Sequence, residues 1–285
     1  MGTIHFTTRS LCHTCTTSTS CIILSNLLNN GSSFHPVCNA VYGIKWAHEI
    51  NGLPDPTTNT FVSSVLELSK RIAVKPNEKK ELISPDTLIE LCNMFKDSVD
   101  LLIVRDLAMI LLSFSGFLRY DEVSSLRFND VRVHDNHLVL HLEKSKTDQY
   151  RQSSDVLIAK GSTVACPYSI FLRYVSLAGF SSDSKTFLFR QVYKSGSICK
   201  LINQDNKLSY TAAREALIKR VKLVSPGCNI GLHSFRSGGA TVAANANVNE
   251  RCLKKHGRWK SDSSKDRYVV DSADNRLQVS QALGI

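Results

Sequence analysis

The sequence predicts a mostly α-helical protein with one small antiparallel β-sheet, divided into a small helical N-terminal domain and a larger mixed domain. Three observations carry that expectation. Apolar residues recur at helical spacing over most of the chain, the period drops to two only between Val131 and Ile158, and a charged stretch broken by proline, Val74 to Lys80, interrupts the pattern.

Residues 1–20, with a Ser/Thr-rich run from Thr16 to Ser20, show neither period and are expected to form a disordered leader. From Cys21 onward three groups fall at helical spacing: Leu24, Leu27 and Leu28, then Val37, Val41 and Ile44, then Val62, Val65 and Leu66. Residues 21–78 are therefore read as a small helical domain that ends in the proline-broken linker. The second domain is read as residues 84–285. Ser84 before Pro85 is a helix start, since the hydroxyl can accept from a free backbone N–H and proline costs nothing at the first helical position. Leu88, Leu91, Cys92 and Phe95 mark the buried face of that helix. Leu101 to Phe117 is apolar on nearly all sides and is expected to be a core helix, although Arg105 and Asp106 interrupt it.

After Asp130 the pattern alternates. Val131 and Val133 precede an Asp135-Asn136 turn, and Leu138, Leu140 and Leu142 then alternate with His137, Val139 and His141. A polar connection from Lys144 to Ser154 leads to Val156-Leu-Ile158, which completes a three-stranded antiparallel sheet. Tyr168 to Ala178 and Thr211 to Val224 read as helices, and His233 to Tyr268 as several short ones.

Composition narrows the function. The 285 residues carry 35 Lys and Arg against 25 Asp and Glu, a net charge of +10 that favours a polyanionic partner, with nucleic acid foremost. The last 85 residues hold 14 Lys and Arg against 7 Asp and Glu, so the C-terminal third is the basic end. No run approaches the roughly 20 apolar residues of a membrane helix, and neither a membrane span nor a secretion signal is expected. Nine cysteines, an odd number spread from Cys12 to Cys252, fit free thiols of a reducing compartment, cytosol or nucleus. Cys12, Cys15, His35 and Cys38 have the spacing of paired zinc ligands, but half of them lie in the leader and no metal is expected.

Chemistry concentrates in Leu232-His-Ser-Phe-Arg-Ser-Gly-Gly-Ala-Thr241, His256-Gly-Arg-Trp-Lys260 and Lys265-Asp-Arg-Tyr268, preceded by Arg119-Tyr-Asp-Glu122 and Ser145-Lys146-Thr147. In these segments the chain resembles the tyrosine recombinases, the phage-integrase-like DNA strand transferases. The resemblance covers residues 84–285 and, more loosely, the helical unit before them, which is similar to the family's core-binding domain. It implies that Arg119, Lys146, His233, Arg236, Trp259 and Tyr268 are catalytic, with Lys144 a rival for Lys146 and His256 a rival for Trp259. The nine-residue step from Trp259 to Tyr268 favours the tryptophan. Three departures accompany it: Gly116 lies three residues before Arg119 where many members have glycine at two, Ser237 stands where many have a second histidine, and the N-terminal unit is short enough to be a truncated clamp. The wording around Arg236 looks most like recombinases of eukaryotic mobile elements, which implies a nuclear location.

The residue types suit that chemistry on physical grounds. Two arginine forks can disperse the charge that develops on a phosphodiester under in-line attack. His233 and Trp259 add neutral or cationic N–H donors. A tyrosine hydroxyl, with an ordinary pKa of about 10, needs nearby positive charge or a base, which Arg236, Arg267 and His233 could supply. The leaving 5′ oxygen needs a proton, a role for a lysine on a mobile hairpin. There is no Gly-rich phosphate loop and no clustered acidic triad, so neither ATP nor a metal cofactor is expected.

The basic run Lys254, Lys255, Arg258 and Lys260 is expected to contact DNA phosphates. The partners expected are double-stranded DNA and further copies of the chain, a tetramer formed through the apolar residues Leu277, Val279, Leu283 and Ile285 of the tail. The leading reading is a site-specific recombinase or integrase acting through a 3′-phosphotyrosyl intermediate. A topoisomerase IB-like nicking and closing enzyme and a catalytically idle DNA-binding protein derived from a mobile element stay open beside it.

Overall fold

Leu24, Val37, Val41, Val62 and Val65 form the buried centre of three helices, α1 (Thr17–Asn29), α2 (Phe34–Ile50) and α3 (Thr60–Ile72). Each residue comes from the helical spacing noted in the sequence. Asn59 starts α3, its side-chain oxygen accepting from the Phe61 and Val62 N–H groups at 2.7 and 3.2 Å. The computed structural model describes residues 17–72, 80–143, 153–181, 184–196 and 198–283. The chain divides into two compact units, Met1–Lys79 and Lys80–Ile285. Two boundaries therefore need correcting. Helix α1 begins at Thr17, inside the segment expected to be leader, because Ser20 and Leu24 are buried and give that segment a face to pack. The second unit starts at Lys80 and not at residue 84: Glu81 N–H donates to the Asn229 carbonyl at 2.9 Å, and Ile83 joins the core.

The second unit is built around α5 (Leu101–Ser115), eleven of whose fifteen residues are buried. It is preceded by α4 (Pro85–Met94), capped by Ser84, whose hydroxyl accepts from Thr87 N–H at 3.1 Å as the Ser-Pro start predicts. The interruption of α5 by Arg105 and Asp106 is resolved by pairing. Asp106 accepts from Arg105 at 2.6 Å and from Arg220 at 3.1 Å, and Arg105 also reaches the Arg190 carbonyl at 3.1 Å, so the buried charges are mutually satisfied.

Helix α6 (Tyr120–Ser125) follows, then the predicted sheet of β1 (Val131–Val133), β2 (His137–Leu142) and β3 (Ser154–Ala159), antiparallel in that order. Leu138 pairs with Ile158 and Leu140 with Val156, which puts the four side chains in the core as the alternation requires. After α7 (Pro167–Ala178) comes a hairpin of β4 (Val192–Ser195) and β5 (Ile198–Leu201) that the sequence reading lacks. Helix α8 (Tyr210–Val221) leads to the C-terminal group α9 (Leu232–Asn245), α10 (Glu250–Gly257), α11 (Asp262–Asp266) and α12 (Ala273–Gln281). The segment expected to hold several short helices thus holds one of fourteen residues and two short ones. Among the described residues no helix is long and apolar enough to cross a membrane.

Candidate active site

Arg236 lies in the middle of α9 with no exposed surface, and the two glycines after it explain how it gets there. A Cβ at Gly238 would collide with the Ile83 carbonyl oxygen, and one at Gly239 with the Phe114 carbonyl oxygen. Glycine is what lets α9 lie against the C-terminal end of α5. The chain leaving α5 turns at Phe117, which holds a left-handed φ of 46°. That position is two residues before Arg119, where glycine is common in the family the sequence resembles. The ring offsets the strain by packing: it is buried, edge-on to His256 with centroids 4.6 Å apart and 6.0 Å from Trp259. The Phe117 carbonyl accepts from Arg236 Nη1 and, at 2.8 Å, from Arg258 Nη2, while Arg236 Nη2 donates to the Gly257 carbonyl at 2.7 Å.

Glu122 joins the arginines. It occupies the first turn of α6, and its side chain is 2% exposed. Oε1 accepts from Arg119 Nη1 at 2.9 Å. Oε2 accepts from the Arg119 backbone N–H at 2.7 Å and from Arg258 Nη2 at 2.8 Å, with Arg236 Nη1 3.8 Å away. Burial opposes the charge on Glu122, but Arg258, the Arg119 N–H, Arg236 and Arg119 outweigh it and hold the carboxyl below its ordinary pKa. Burial, then the charges of Arg119 and Arg258, push the Arg236 pKa down to about 9, which still leaves it protonated at neutral pH. One carboxylate among three guanidiniums leaves two positive charges in excess.

Tyr268, two residues past the end of α11, lays its ring over Arg236, with the centroid 4.7 Å from Cζ. The Trp259 ring lies 5.0 Å from the same Cζ and 5.7 Å from the Tyr268 ring. Trp259 is buried, and its Nε1–H has no acceptor among the described residues, which leaves a donor at the edge of the cluster. His233 stands exposed in the first turn of α9, one helical step of three before Arg236 and on the same face. A cleft of about 590 Å³ opens beside Arg119 and Glu122, with His141 and Glu143 at the end of β2 on its other side.

No protein-family model matches the chain. An integrase/recombinase XerD homologue of Selenomonas ruminantium is 25% identical over 239 residues, covering 80% of this chain and 66% of the relative. The recombinase Cre of Escherichia phage P1 is 24% identical over 225 residues, covering 74% of this chain and 63% of the relative. The chain thus spans about two thirds of the length of these curated relatives. Among solved structures, XerH site-specific recombinase bound to a palindromic difH substrate, a post-cleavage complex, aligns with a TM-score of 0.65 at 11% identity over 95% of this chain and 71% of that one. The chain has the tyrosine-recombinase fold.

Within this tyrosine-recombinase fold, five of the six residues singled out in the sequence are described, and Arg119, Arg236, Trp259 and Tyr268 are brought into one cluster, with His233 one turn before Arg236 on α9. Lys146 and its rival Lys144 lie outside the described residues. Trp259 and not His256 meets Tyr268: His256 Nε2 is held by the Ser115 carbonyl at 2.8 Å, and burial pushes its pKa down.

Arg258 is not on the exposed face expected of it. It has a φ of 56°, which reverses the direction its neighbours' side chains take, and its side chain is 6% exposed, donating to the Gly116, Phe117 and His256 carbonyls and to Glu122. Lys254 pairs with Asp262 at 2.9 Å, so Lys255 and Lys260 are the exposed members of the basic run. Sequence reasoning quoted Glu122 within the arginine motif without giving it this linking role. Cys12 and Cys15 lie outside the described residues, and His35 and Cys38 are on α2. Among the described residues no group of three or more His, Cys, Asp or Glu could hold a metal ion.

Proposed function

We propose that this chain is a site-specific DNA strand transferase that cuts and rejoins double-stranded DNA through a 3′-phosphotyrosyl intermediate at Tyr268. The observation that carries the reading is the packing of Tyr268 against Arg236 and Trp259, with Arg119 tied to the same cluster through Glu122. In-line attack by the Tyr268 oxygen forms one P–O bond and breaks the bond to the 5′ oxygen. The phenolic proton passes to a base, a role for His233 on the arginine helix, and the 5′ oxygen takes a proton from Lys146. One phosphodiester replaces another, so bond energy is conserved for rejoining. The two excess positive charges around Glu122 match the two negative charges of a pentacoordinate phosphoryl transition state. Since the Tyr268 ring covers Arg236, a DNA phosphate reaches that guanidinium by displacing the ring.

The reading extends to a recombinase of a mobile element acting in the nucleus, supported by the Ser234-to-Thr241 wording and the free-thiol cysteine usage, and tested by imaging the tagged full chain in a eukaryotic cell. The central test is incubation of the full chain with a pool of nicked duplexes that trap a covalent product, followed by a denaturing gel. The expected outcome is an adduct with the parent chain and none with Tyr268→Phe, DNA binding being nearly unchanged because only the nucleophilic oxygen is removed. An adduct that persists in Tyr268→Phe rejects the assignment.

A further inference from the structure

The residues from Arg267 to Ser272 lie between α11 and α12: the Tyr268 N–H still donates to the Lys265 carbonyl at 2.8 Å and the Ser272 carbonyl accepts from the Arg276 N–H at 3.1 Å, but the Tyr268 and Val270 carbonyls and the Val270 and Ser272 N–H groups join neither helix. Two side chains of α9 take them instead. Thr241 is buried, and its hydroxyl donates to the Tyr268 carbonyl at 3.1 Å while accepting from the Val270 N–H at 3.2 Å. Asn245, one turn further along, donates through Nδ2 to the Val270 carbonyl at 3.1 Å. Its Oδ1 accepts from the Ser272 N–H and from Asn275 Nδ2, each at 3.1 Å. Both lie on the helix that carries His233 and Arg236.

We propose that Thr241 and Asn245 are positioning residues that fix the Tyr268 backbone to the phosphate-binding helix, so that nucleophile and arginine are set by one rigid element. The inference rests on Tyr268 being the nucleophile. The contact cluster of Phe117, Ala240, Leu253 and Trp259, on which Tyr268 and Val269 pack, is apolar and slippery in register. Directional hydrogen bonds add a fixed register to that packing. Thr241 is suited to the task because one hydroxyl can donate and accept at once. Asn245 extends the grip to Ser272 and Asn275, the cap and first turn of α12, so the root of the tail is held one helical turn from the side chain that holds the nucleophile. Beyond Asn275 the described residues of α12 and of the turn after it are exposed, Leu277, Val279 and Leu283 among them. A partner that seats this helix therefore pulls on Asn245 and, through it, on the segment that carries Tyr268.

The test uses the full chain and a duplex that yields adduct with it. Thr241→Val keeps the shape and removes the hydroxyl, and Thr241→Ser keeps the hydroxyl. Single-turnover adduct formation by Thr241→Val is expected to fall on the order of a hundredfold, the scale of an ångström-sized misplacement of a reacting group. The DNA dissociation constant should stay as in the parent, and Thr241→Ser should recover most of the rate. Amide hydrogen exchange at Val270 should quicken in Thr241→Val and at Ser272 in Asn245→Ala, whether or not a cleavable duplex is in hand. A parent-like rate in Thr241→Val, no recovery in Thr241→Ser, or unchanged exchange at both amides overturns the proposal. An adduct surviving in Tyr268→Phe defeats the nucleophile assignment instead, so the two failures are told apart.

Discussion

Arg258 occupies a left-handed backbone conformation that costs an arginine about 1–2 kcal/mol, and the structure shows what offsets it: four hydrogen bonds, one of them to a carboxylate buried among guanidiniums. Arg258→Ala keeps the strained conformation and removes the bonds, and is expected to destabilise the fold by about 3 kcal/mol. Arg258→Gly loses the same bonds but relaxes the backbone, and should be about 1 kcal/mol less harmful in urea unfolding. Equal midpoints for the two variants would show that the conformation carries no cost. His256 gives a pH prediction. Its ordinary pKa of 6.5 is lowered in the folded chain, by burial first and by Arg258 and Arg236 after it, so below pH 6.5 the unfolded chain takes up the proton first. Its contribution is complete above pH 6.5 and is lost as pH falls below that toward the folded value. Between pH 7 and 5 the parent should therefore lose more stability than His256→Gln, whose amide still donates to Ser115 without titrating; equal slopes would reject the account. The contrast between these residues and Tyr268 shows what the sequence could reveal. Arg236, Trp259 and Tyr268 stand at fixed steps along a short stretch of chain, and their spacing is readable. Arg258 looks like one more cation among Lys254, Lys255 and Lys260 until its backbone dihedral is known, and its partner Glu122 comes from a distant segment, so neither its direction nor its contact is encoded in local pattern.

At the level of elements, the site depends on how closely two helices approach. Gly238 and Gly239 let α9 rest on the end of α5, and a methyl group at Gly239 has nowhere to go because the obstacle is the Phe114 carbonyl, a backbone atom. Gly239→Ala should lower the thermal midpoint by several degrees or more, as overpacking of a core by about 1–3 kcal/mol does. Gly227→Ala, with open space around the new carbon, should leave it within experimental error. A parent-like midpoint in Gly239→Ala would mean the helices can separate without cost. The elements that the sequence showed clearly are those with a sustained period: α5, and the sheet whose Leu138, Leu140 and Leu142 alternate with His137, Val139 and His141. The β4–β5 hairpin was not legible, because strands of four residues, mostly exposed on β4, carry too little alternation to stand out from a loop.

For the whole molecule, the tail leaves apolar side chains uncovered among the described residues: Leu277 and Val279 of α12 and Leu283 just after it are 52%, 70% and 66% exposed. We expect deletion of residues 273–285 to spare binding to a single DNA site and to prevent a tetramer from forming on two, as read by native gel and light scattering. A tetrameric complex formed by the shortened chain would refute docking between copies. The resting position of Tyr268 bears on how such a molecule behaves between encounters. At rest the ring lies on the Arg236 guanidinium, a contact worth about 0.5–2 kcal/mol in itself, and it packs on the Trp259 ring as well. If Tyr268 is the nucleophile, its ring at rest also guards the arginine, and a phosphate gains access only as the ring moves. Under the proposed function, a long duplex gripped at many phosphates at once would have more binding energy for lifting the ring than a single phosphate has.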